Sequence, residues 1–353
     1  MGTTERERVV LVVTNGRDYS IKEVSEWIYH YGKKENVELA ILDTSKQSLQ
    51  VVKGAIGIDS DILFSITDTD RSFWLSSILG VFIRQARLRI NAHTDMKSNS
   101  GSSTDIASRF GNYMMAYEAT ARYFILNRLS SANIIGYDSS GFINKLEVLK
   151  AAVDVGLDIP ETELVSTKRQ LVEFVSNHGE VILKSIGCGL NFVDMDEKIS
   201  YLQLSKAIGS DDFDKIPDSF NLSMLQNRVH KEFEIRVFYL SGKCYSWCLL
   251  SQSKEETAVD YRNYNWDNPM RVVGFELPED VSLRIIKLMK KLKLRTGSLD
   301  LIYSVDGKYV FLEVNPAGQY GYNSDSSNYY LDREIARTLL FENERTAHRT
   351  FHS

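Results

Sequence analysis

The dipeptide Asp306-Gly307 stands between two runs of alternating apolar residues, inside the stretch from Gly297 to Gly318. It is the strongest short-range signal for a β-hairpin closed by a two-residue type I′ turn, in which both central residues take positive φ. Position 305 then pairs with 308, and the register runs on unbroken. Asp300 falls directly opposite Glu313, with Asn315 two residues further on and pointing to the same face. Two facing carboxylates destabilise a ladder by roughly 0.2–1 kcal/mol, a penalty that a bound cation reverses. Two carboxylates and an amide make an oxygen-only set suited to Mg²⁺, which takes few protein ligands and fills its shell with water and phosphate. The plain alternative is an ordinary hairpin with its charges on the wet face.

With 353 residues, a net charge of −5 and 43% hydrophobic residues, the chain is an ordinary globular protein with length for two or three domains. Its mild acidity argues against a general nucleic-acid binder, which needs a surplus of Lys and Arg. The segment from Met1 to Arg8 lacks the apolar core of a signal peptide, and Arg6 breaks the myristoylation pattern. No apolar run reaches spanning length, so a cytoplasmic protein without membrane or nucleic-acid partners is expected. Cys188, Cys244 and Cys248 are read as free thiols.

Val9 to Thr14 is a continuous β-branched run, as expected of a strand buried on both faces. A helix from Ile21 to Tyr31, a strand from Val37 to Leu42 and a strand from Asp61 to Ile66 follow, which together predict a parallel α/β layer. Gly16 lacks the partners of a nucleotide loop and reads as a strand-end turn. The polar segment from Lys97 to Ser103 reads as a loop, with Ser103 or Thr104 capping the next helix. That helix spaces Ile106, Phe110, Met114, Tyr117, Ala121, Phe124 and Leu129 as a core stripe.

A second α/β unit begins with a helix from Lys145 to Val155 that ends at Gly156, ahead of Ile159-Pro160. Its strand from Glu180 to Lys184 leads into Ser185-Ile186-Gly187-Cys188-Gly189-Leu190-Asn191, whose glycines would let the backbone approach an anion. Lys145 and Lys184 would supply the cations of a phosphate clamp. From Phe233 to Tyr239 the period is two, with Glu234 and Arg236 on one face, and Ser241-Gly242 turns the chain into a further strand. A Glu-x-Arg pair is usually a surface ion pair worth little. Beside the carboxylate hairpin it gains weight as a site for anionic groups, and Asp260-Tyr261-Arg262 adds a second arginine. Val281, Ile285, Leu288, Met289 and Leu292 form the buried stripe of the last helix before the hairpin. His348 and His352 lack a carboxylate or thiolate cluster and are not assigned a metal.

The order of these features resembles the ATP-grasp superfamily: Lys145, Lys184 with its glycine loop, Gln226-Asn227-Arg228-Val229, Glu234-x-Arg236, then Asp300 and Glu313-x-Asn315. Asn144-Lys145 leading to Gly156-Leu157-x-Ile159-Pro160, the Asp260-Tyr261-Arg262 triplet and Phe311 to Tyr320 look like the peptide maturases that build ω-ester and ω-amide rings. These are the microviridin-type or graspetide synthetases, and the chain is most similar to their grasp-with-spasm group, although Val81-Phe82-Ile83-Arg84 departs from that group's aromatic-Tyr-Arg-Arg pattern. The resemblance implies an α/β fold with an N-terminal parallel subdomain over 1–130, a central subdomain over 131–205 and a C-terminal antiparallel-sheet subdomain over 206–340, followed by a polar tail over 341–353. It implies ATP and Mg²⁺ as cofactors. Lys145, Lys184, Gly187 and Gly189 would contact or cover the phosphates, Gln226, Asn227, Arg228 and Val229 the adenine, and Glu234 the nucleotide. Asp300, Glu313 and Asn315 would hold Mg²⁺, Arg236 and Arg262 would face the transferring phosphate and the acceptor carboxylate, and Asp260 and Tyr261 would lie by the substrate. The implied partner is a precursor peptide with a leader and a core of Thr/Ser and Glu/Asp; the oligomer, if one forms, is a homodimer.

The chemistry explains the residue types. A carboxylate is a poor electrophile because attack adds negative charge to an anion, and phosphorylation by ATP turns it into an acyl phosphate. Bringing two anions together needs a cation on the phosphates and arginines on both partners. A Ser or Thr hydroxyl or a Lys amine of the same peptide then closes the ring, and the Gly187 loop would exclude water. Two other readings use the same residues: an ATP-grasp ligase of glutathione-synthetase-like or protein-tailing type, and a non-catalytic nucleotide-binding module.

Overall fold

A computed structural model describes residues 7–57, 60–90, 104–129, 132–138, 143–187, 191–194, 199–202, 206–250 and 271–349. Cys188, Gly189, Asp260, Tyr261, Arg262 and the segment from Lys97 to Ser103 lie outside the described residues. The chain forms two compact units, one of residues 1–141 with 330–353 and one of residues 142–329.

In the first unit, β1 (Arg8–Thr14) leads through α1 (Ser20–Glu35) to β2 (Val37–Asp43), and both strands lie in parallel register. Val9 to Val13 are buried, as the β-branched run requires of a strand covered on two sides. The expected third strand of this layer is elsewhere. β3 (Leu49–Gly54), β4 (Ile62–Ile66) and β5 (Ser72–Trp74) form their own antiparallel sheet, in the order β3-β4-β5. The reason is the connection: the short link from β3 to β4 cannot make the long crossover that a parallel neighbour needs. The parallel sheet is completed instead by β6 (Ile78–Arg84) and, beyond α2 (Thr104–Arg128), by β7 (Asn133–Gly136), giving the order β2-β1-β6-β7.

The helix α2 also departs from expectation. Its C-terminal part carries Ile125 into the core, with Leu129 buried just beyond the helix end, but Phe110 and Tyr117 are exposed, so the predicted stripe is a core face only at one end. Apolar spacing identifies a helix face without identifying what the face meets.

The second unit opens with α3 (Lys145–Asp154), capped by the Asn144 side chain, which accepts from the Leu146 and Glu147 amides. There follow β8 (Thr162–Thr167), α4 (Lys168–His178), β9 (Val181–Lys184), β10 (Asn191–Asp194), β11 (Ile199–Leu202), β12 (Lys206–Ile208) and β13 (Ser219–Asn227). β12-β9-β13-β8 make an antiparallel sheet packed on α4, while β10 and β11 pair as a hairpin. This sheet therefore continues through residue 227. The remaining strands, β14 (Lys231–Leu240), β15 (Lys243–Leu250), β16 (Arg271–Phe275), β17 (Thr296–Ser304) and β18 (Tyr309–Asn315), form a five-stranded antiparallel sheet in the order β16-β15-β14-β17-β18. Ile235, Val237, Tyr239, Leu299, Leu301 and Phe311 share a core with α3 and with α5 (Glu279–Lys291), which buries Val281, Ile285, Leu288 and Met289 as its apolar spacing predicts. After α6 (Gly321–Ser326), α7 (Leu331–Arg349) returns to the first unit, packing on α1 and the β6–β7 side of its sheet. Among the described residues no helix is long and apolar enough to cross a membrane.

Cys244 and Cys248 lie on β15 as free thiols. Burial pushes the Cys244 thiol up to about 12 and raises that of Cys248 as well. Because the thiolate is the reactive species, neither should alkylate in the native protein at mildly alkaline pH, and both should after denaturation. Peptide mapping after iodoacetamide treatment checks this; rapid native labelling at Cys244 would show the site to be open.

Candidate active site

The hairpin that frames the site is not closed as expected. The type I′ turn belongs to the preceding hairpin, where Ser241 (φ 43°) and Gly242 (φ 95°) both take positive φ and Leu240 pairs with Lys243. Between β17 and β18 only Gly307 is left-handed (φ 82°), and the loop is three residues long, Val305 to Gly307. The Gly307 amide donates to the Ser304 carbonyl (2.9 Å) and the Ser304 amide to the Lys308 carbonyl (3.0 Å), which is a type I turn followed by a left-handed glycine. Ser304 and Lys308 hold the Asp306 carboxyl below its ordinary value. This turn avoids placing an aspartate at positive φ, a conformation costing roughly 1–2 kcal/mol for a residue with a Cβ.

A three-residue loop moves the register by one, so that Tyr303 faces Tyr309 and Leu301 faces Phe311. Continued without interruption, this register would carry Glu313 to the core side. It is corrected by a bulge at Leu312, beyond which Asp300 pairs with Glu313 and Ser298 with Asn315. Thus the expected carboxylate pair forms through two compensating irregularities. A bulge re-aims side chains where a regular ladder could not.

On β14, Arg236 pairs with Asp300 and, on its other side, with Trp247. Arg236, Asp300 and Glu313 thus form one rung across three strands, on the face opposite the core residues Leu299, Leu301 and Phe311. The Arg236 Nη1 lies 3.1 Å from Asp300 Oδ1, with both side chains largely buried. Asn315 stands one rung along, exposed, and its Oδ1 accepts from the Ala317 amide at 3.0 Å. Glu234 lies on the same face and forms an ion pair with Lys231. Lys231 escapes a sequence reading because residues three apart on a strand point to opposite faces; an irregularity between Lys231 and Phe233 brings it round.

The other flank of this face is closed by the chain after β18. Tyr320 packs 4.7 Å from Phe238 and Tyr329 5.5 Å from Trp247, centroid to centroid, and the Tyr329 hydroxyl donates to the Ser246 carbonyl (2.9 Å). Ser298 Oγ donates to the Gln319 carbonyl (3.2 Å). These contacts bury Trp247 completely and leave the rung of Arg236, Asp300 and Glu313 beside a dry wall. Oxygen donors of this kind fit a hard divalent cation. Among the described residues no set of three or more His, Cys, Asp or Glu side chains is grouped to bind a metal; the oxygen-bearing side chains expected at this site are those of Asp300, Glu313 and Asn315.

The other predicted residues lie on the smaller sheet and its surroundings. Lys145 is the first residue of α3, and Lys184 ends β9, paired with Met224. Gln226 shares a face with Met224 and Lys184; its Nε2 donates to Thr162 Oγ1 (3.0 Å), while its buried Oε1 accepts no hydrogen bond from the described residues. Asn227 Oδ1 accepts from the Glu161 amide (2.8 Å), and Arg228 pairs with Glu180, so these two side chains fasten β13 to its neighbours. Val229 follows β13 in the link to β14, and Gly187 follows β9, with no atom of the described residues within 4 Å of where a Cβ would stand. Replacing Arg236 by Met should cost about 1–3 kcal/mol, the usual loss for a part-buried hydrogen bond to a charge, because Asp300 loses the Arg236 guanidinium while it still faces Glu313. Thermal unfolding checks this, and Mg²⁺ should restore more of the loss in the variant than it adds to the wild type.

No family model and no curated protein matches this sequence. Solved structures do match over nearly the whole chain. A Chryseobacterium gregarium RiPP-associated ATP-grasp ligase, in complex with ADP and a leader and core peptide, is 19% identical, with 94% of this chain and 96% of that one covered and a TM-score of 0.71. The macrocyclase MdnC bound with precursor peptide MdnA, from Microcystis aeruginosa MRC, is 20% identical, covering 95% and 99% with a TM-score of 0.69. The ATP-grasp ligase PsnB, complexed with a phosphomimetic variant of its minimal precursor, Mg and ADP, is 15% identical over 95% and 99%, with a TM-score of 0.65. The chain has the ATP-grasp fold.

Proposed function

We propose that the protein is an ATP-dependent peptide macrocyclase. It phosphorylates Asp or Glu side chains of a ribosomally made precursor and closes them onto Ser or Thr hydroxyls, or Lys amines, as ω-esters or ω-amides. The observation that carries this reading is the rung of Arg236, Asp300 and Glu313 with Asn315 beside it, on a fold shared along its length with peptide-bound ATP-grasp ligases. Asp300, Glu313 and Asn315 would hold Mg²⁺, which when bound neutralises charge on the ATP phosphates. Lys145 and Lys184 bind the phosphates, Gly187 and Gly189 cover them, and Gln226, Asn227, Arg228, Val229 and Glu234 line the nucleotide. The unpaired Gln226 Oε1 supports this assignment, since a buried acceptor without a donor costs about 1–3 kcal/mol unless a ligand supplies one. Arg236 and Arg262 stabilise the two anions as they approach, and Asp260 and Tyr261 lie by the peptide.

A three-subdomain division belongs to this reading, with its second boundary beyond β13 rather than at residue 205, since β13 shares a sheet with β8 and β9. So do a leader-bearing partner with a Thr/Ser and Glu/Asp core, a homodimer and a cytoplasmic location, which free thiols on β15 and a need for ATP support. The test is mass spectrometry of a candidate precursor incubated with the protein, ATP and Mg²⁺. Loss of one water mass per ring is expected. A gain of an amino-acid mass would replace the reading with a tailing ligase, and an unchanged mass across precursors carrying such cores would overturn it.

A further inference from the structure

β2 is the outermost strand of the parallel sheet, and among the described residues no strand pairs with its outer edge. The Thr44 amide donates to the Thr14 carbonyl on β1 (2.7 Å), so the alternation of a strand turns the amides and carbonyls of Leu39 and Ile41 away from the sheet. The Asp43 amide, next along that edge, is taken by Gln47 Oε1 (3.1 Å). Sheet edges are usually blunted by charge, but between Glu38 and Asp43 this one carries only Leu39, Ala40, Ile41 and Leu42. Beside the edge, α1 and β2 enclose a groove of about 670 Å³. Its walls are apolar, with Ile21 and Tyr29 from the helix and Leu39 and Ile41 from the strand; Tyr29 is 65% exposed and Ile41 43%. Ser25 lines the same groove. It is 8% exposed, and its buried Oγ has no hydrogen-bond partner among the described residues.

We propose that this edge and groove form a docking site for an extended peptide, which adds to the sheet beyond β2 and lays a tyrosine ring in the groove with its hydroxyl on Ser25 Oγ. Strand addition draws affinity from main-chain hydrogen bonds and specificity from pockets for alternate side chains. Both halves are present: unpaired amides and carbonyls at Leu39 and Ile41, and a groove on the side to which those two side chains point. The orphaned hydroxyl selects the ring. A serine hydroxyl both donates and accepts, and burying it unpaired is a cost that a polar group of the ligand removes. Tyrosine has an apolar body with one polar end, which matches an apolar wall with one polar group. The groove also has room for a second apolar side chain two residues along the strand, about 7 Å away. Charge decides what flanks them. Of the charged groups lining the groove, Asp18, Glu23 and Glu26 are acidic and Lys22 is basic. Asp18 is held by Arg84 (2.8 Å) and Lys22 pairs with Glu26 (3.9 Å), which leaves Glu23 to meet a lysine or arginine of the peptide. Because Gln47 closes the free edge at Asp43, the added strand is short and the binding weak. The proposal is independent of the reaction assigned above.

The experiment is titration calorimetry of the full chain with a capped synthetic peptide in which valine, tyrosine and valine alternate with threonine between two terminal lysines. Saturable binding with a Kd of about 10–100 µM is expected. Ser25→Ala should weaken the tyrosine peptide by about fivefold or more and leave its phenylalanine analogue unchanged. The melting temperature of that variant should hold or rise, since alanine is the better helix former. Ile41→Asn takes away apolar wall at an exposed position and should weaken both peptides by about tenfold. N-methylation of one alternating set of peptide amides, the set facing β2, should abolish binding, while methylation of the other set should not. No saturable binding up to about 1 mM, or a Ser25→Ala loss shared equally by the tyrosine and phenylalanine peptides, would overturn the proposal. Binding that neither methylation pattern changes would overturn the added strand and reassign the groove to small phenols.

Discussion

Glu313→Gln is expected to lower ATP-dependent turnover by on the order of 10²–10³-fold, the equivalent of a few kcal/mol of lost charge stabilisation. The substitution keeps the shape of the side chain and removes one of two in-register carboxylates, so the loss falls on the cation and not on the packing. Stability should move the other way or not at all. Asp300 retains Arg236 at 3.1 Å, and removing a facing like charge relieves roughly 0.2–1 kcal/mol. Steady-state turnover at several Mg²⁺ concentrations, paired with thermal unfolding, checks both halves: turnover falls, more Mg²⁺ is needed, and the melting temperature holds. A large drop in melting temperature together with activity would make Glu313 a structural residue. Undiminished turnover would sink the cation assignment.

Gly136→Ala should be the most damaging small substitution in the first unit. Gly136 ends β7 at φ 101°, and a Cβ there would lie 1.8 Å from the Ile83 carbonyl oxygen and 2.8 Å from its carbon. Ile83 is its partner on the adjacent parallel strand, so the clash is with the backbone of β6 and no side chain can swing away to relieve it. The left-handed backbone adds about 1–3 kcal/mol of strain of its own. A total of about 3–5 kcal/mol is a large share of the roughly 5–15 kcal/mol that holds a domain folded. The melting temperature should fall by about 10 °C or more, or the protein should become insoluble. Gly111→Ala is the control. It lies inside α2 with open space around it, where alanine is the better helix former by roughly 0.5–1 kcal/mol, and the melting temperature should hold or rise.

Local patterns were legible where one face of an element decides its fate. The apolar run of β1 and the buried stripe of α5 could be read from residue spacing alone, because burial of one face depends on neighbours within one or two turns. Features that depend on what an element meets were not. β4 has the composition of a parallel strand but joins an antiparallel sheet, since the link that precedes it is too short for a crossover. The stripe on α2 has core spacing but ends in solvent over Phe110 and Tyr117, since spacing carries no information about the partner. Lys231 reaches Glu234 only because a strand irregularity cancels the alternation of faces.

The Asp306-Gly307 hairpin separates the two kinds of knowledge most clearly. By itself the sequence determined that two alternating runs fold back on each other, and it placed Asp300 opposite Glu313 only through a two-residue turn that does not form. Only the tertiary structure decided how. The turn takes three residues because one glycine in the left-handed region costs less than an aspartate there, and the Leu312 bulge returns the ladder to register so that Phe311 and Val314 can both stay buried. The core, which is non-local, overrules the turn, which is local, and the carboxylates face each other as a consequence.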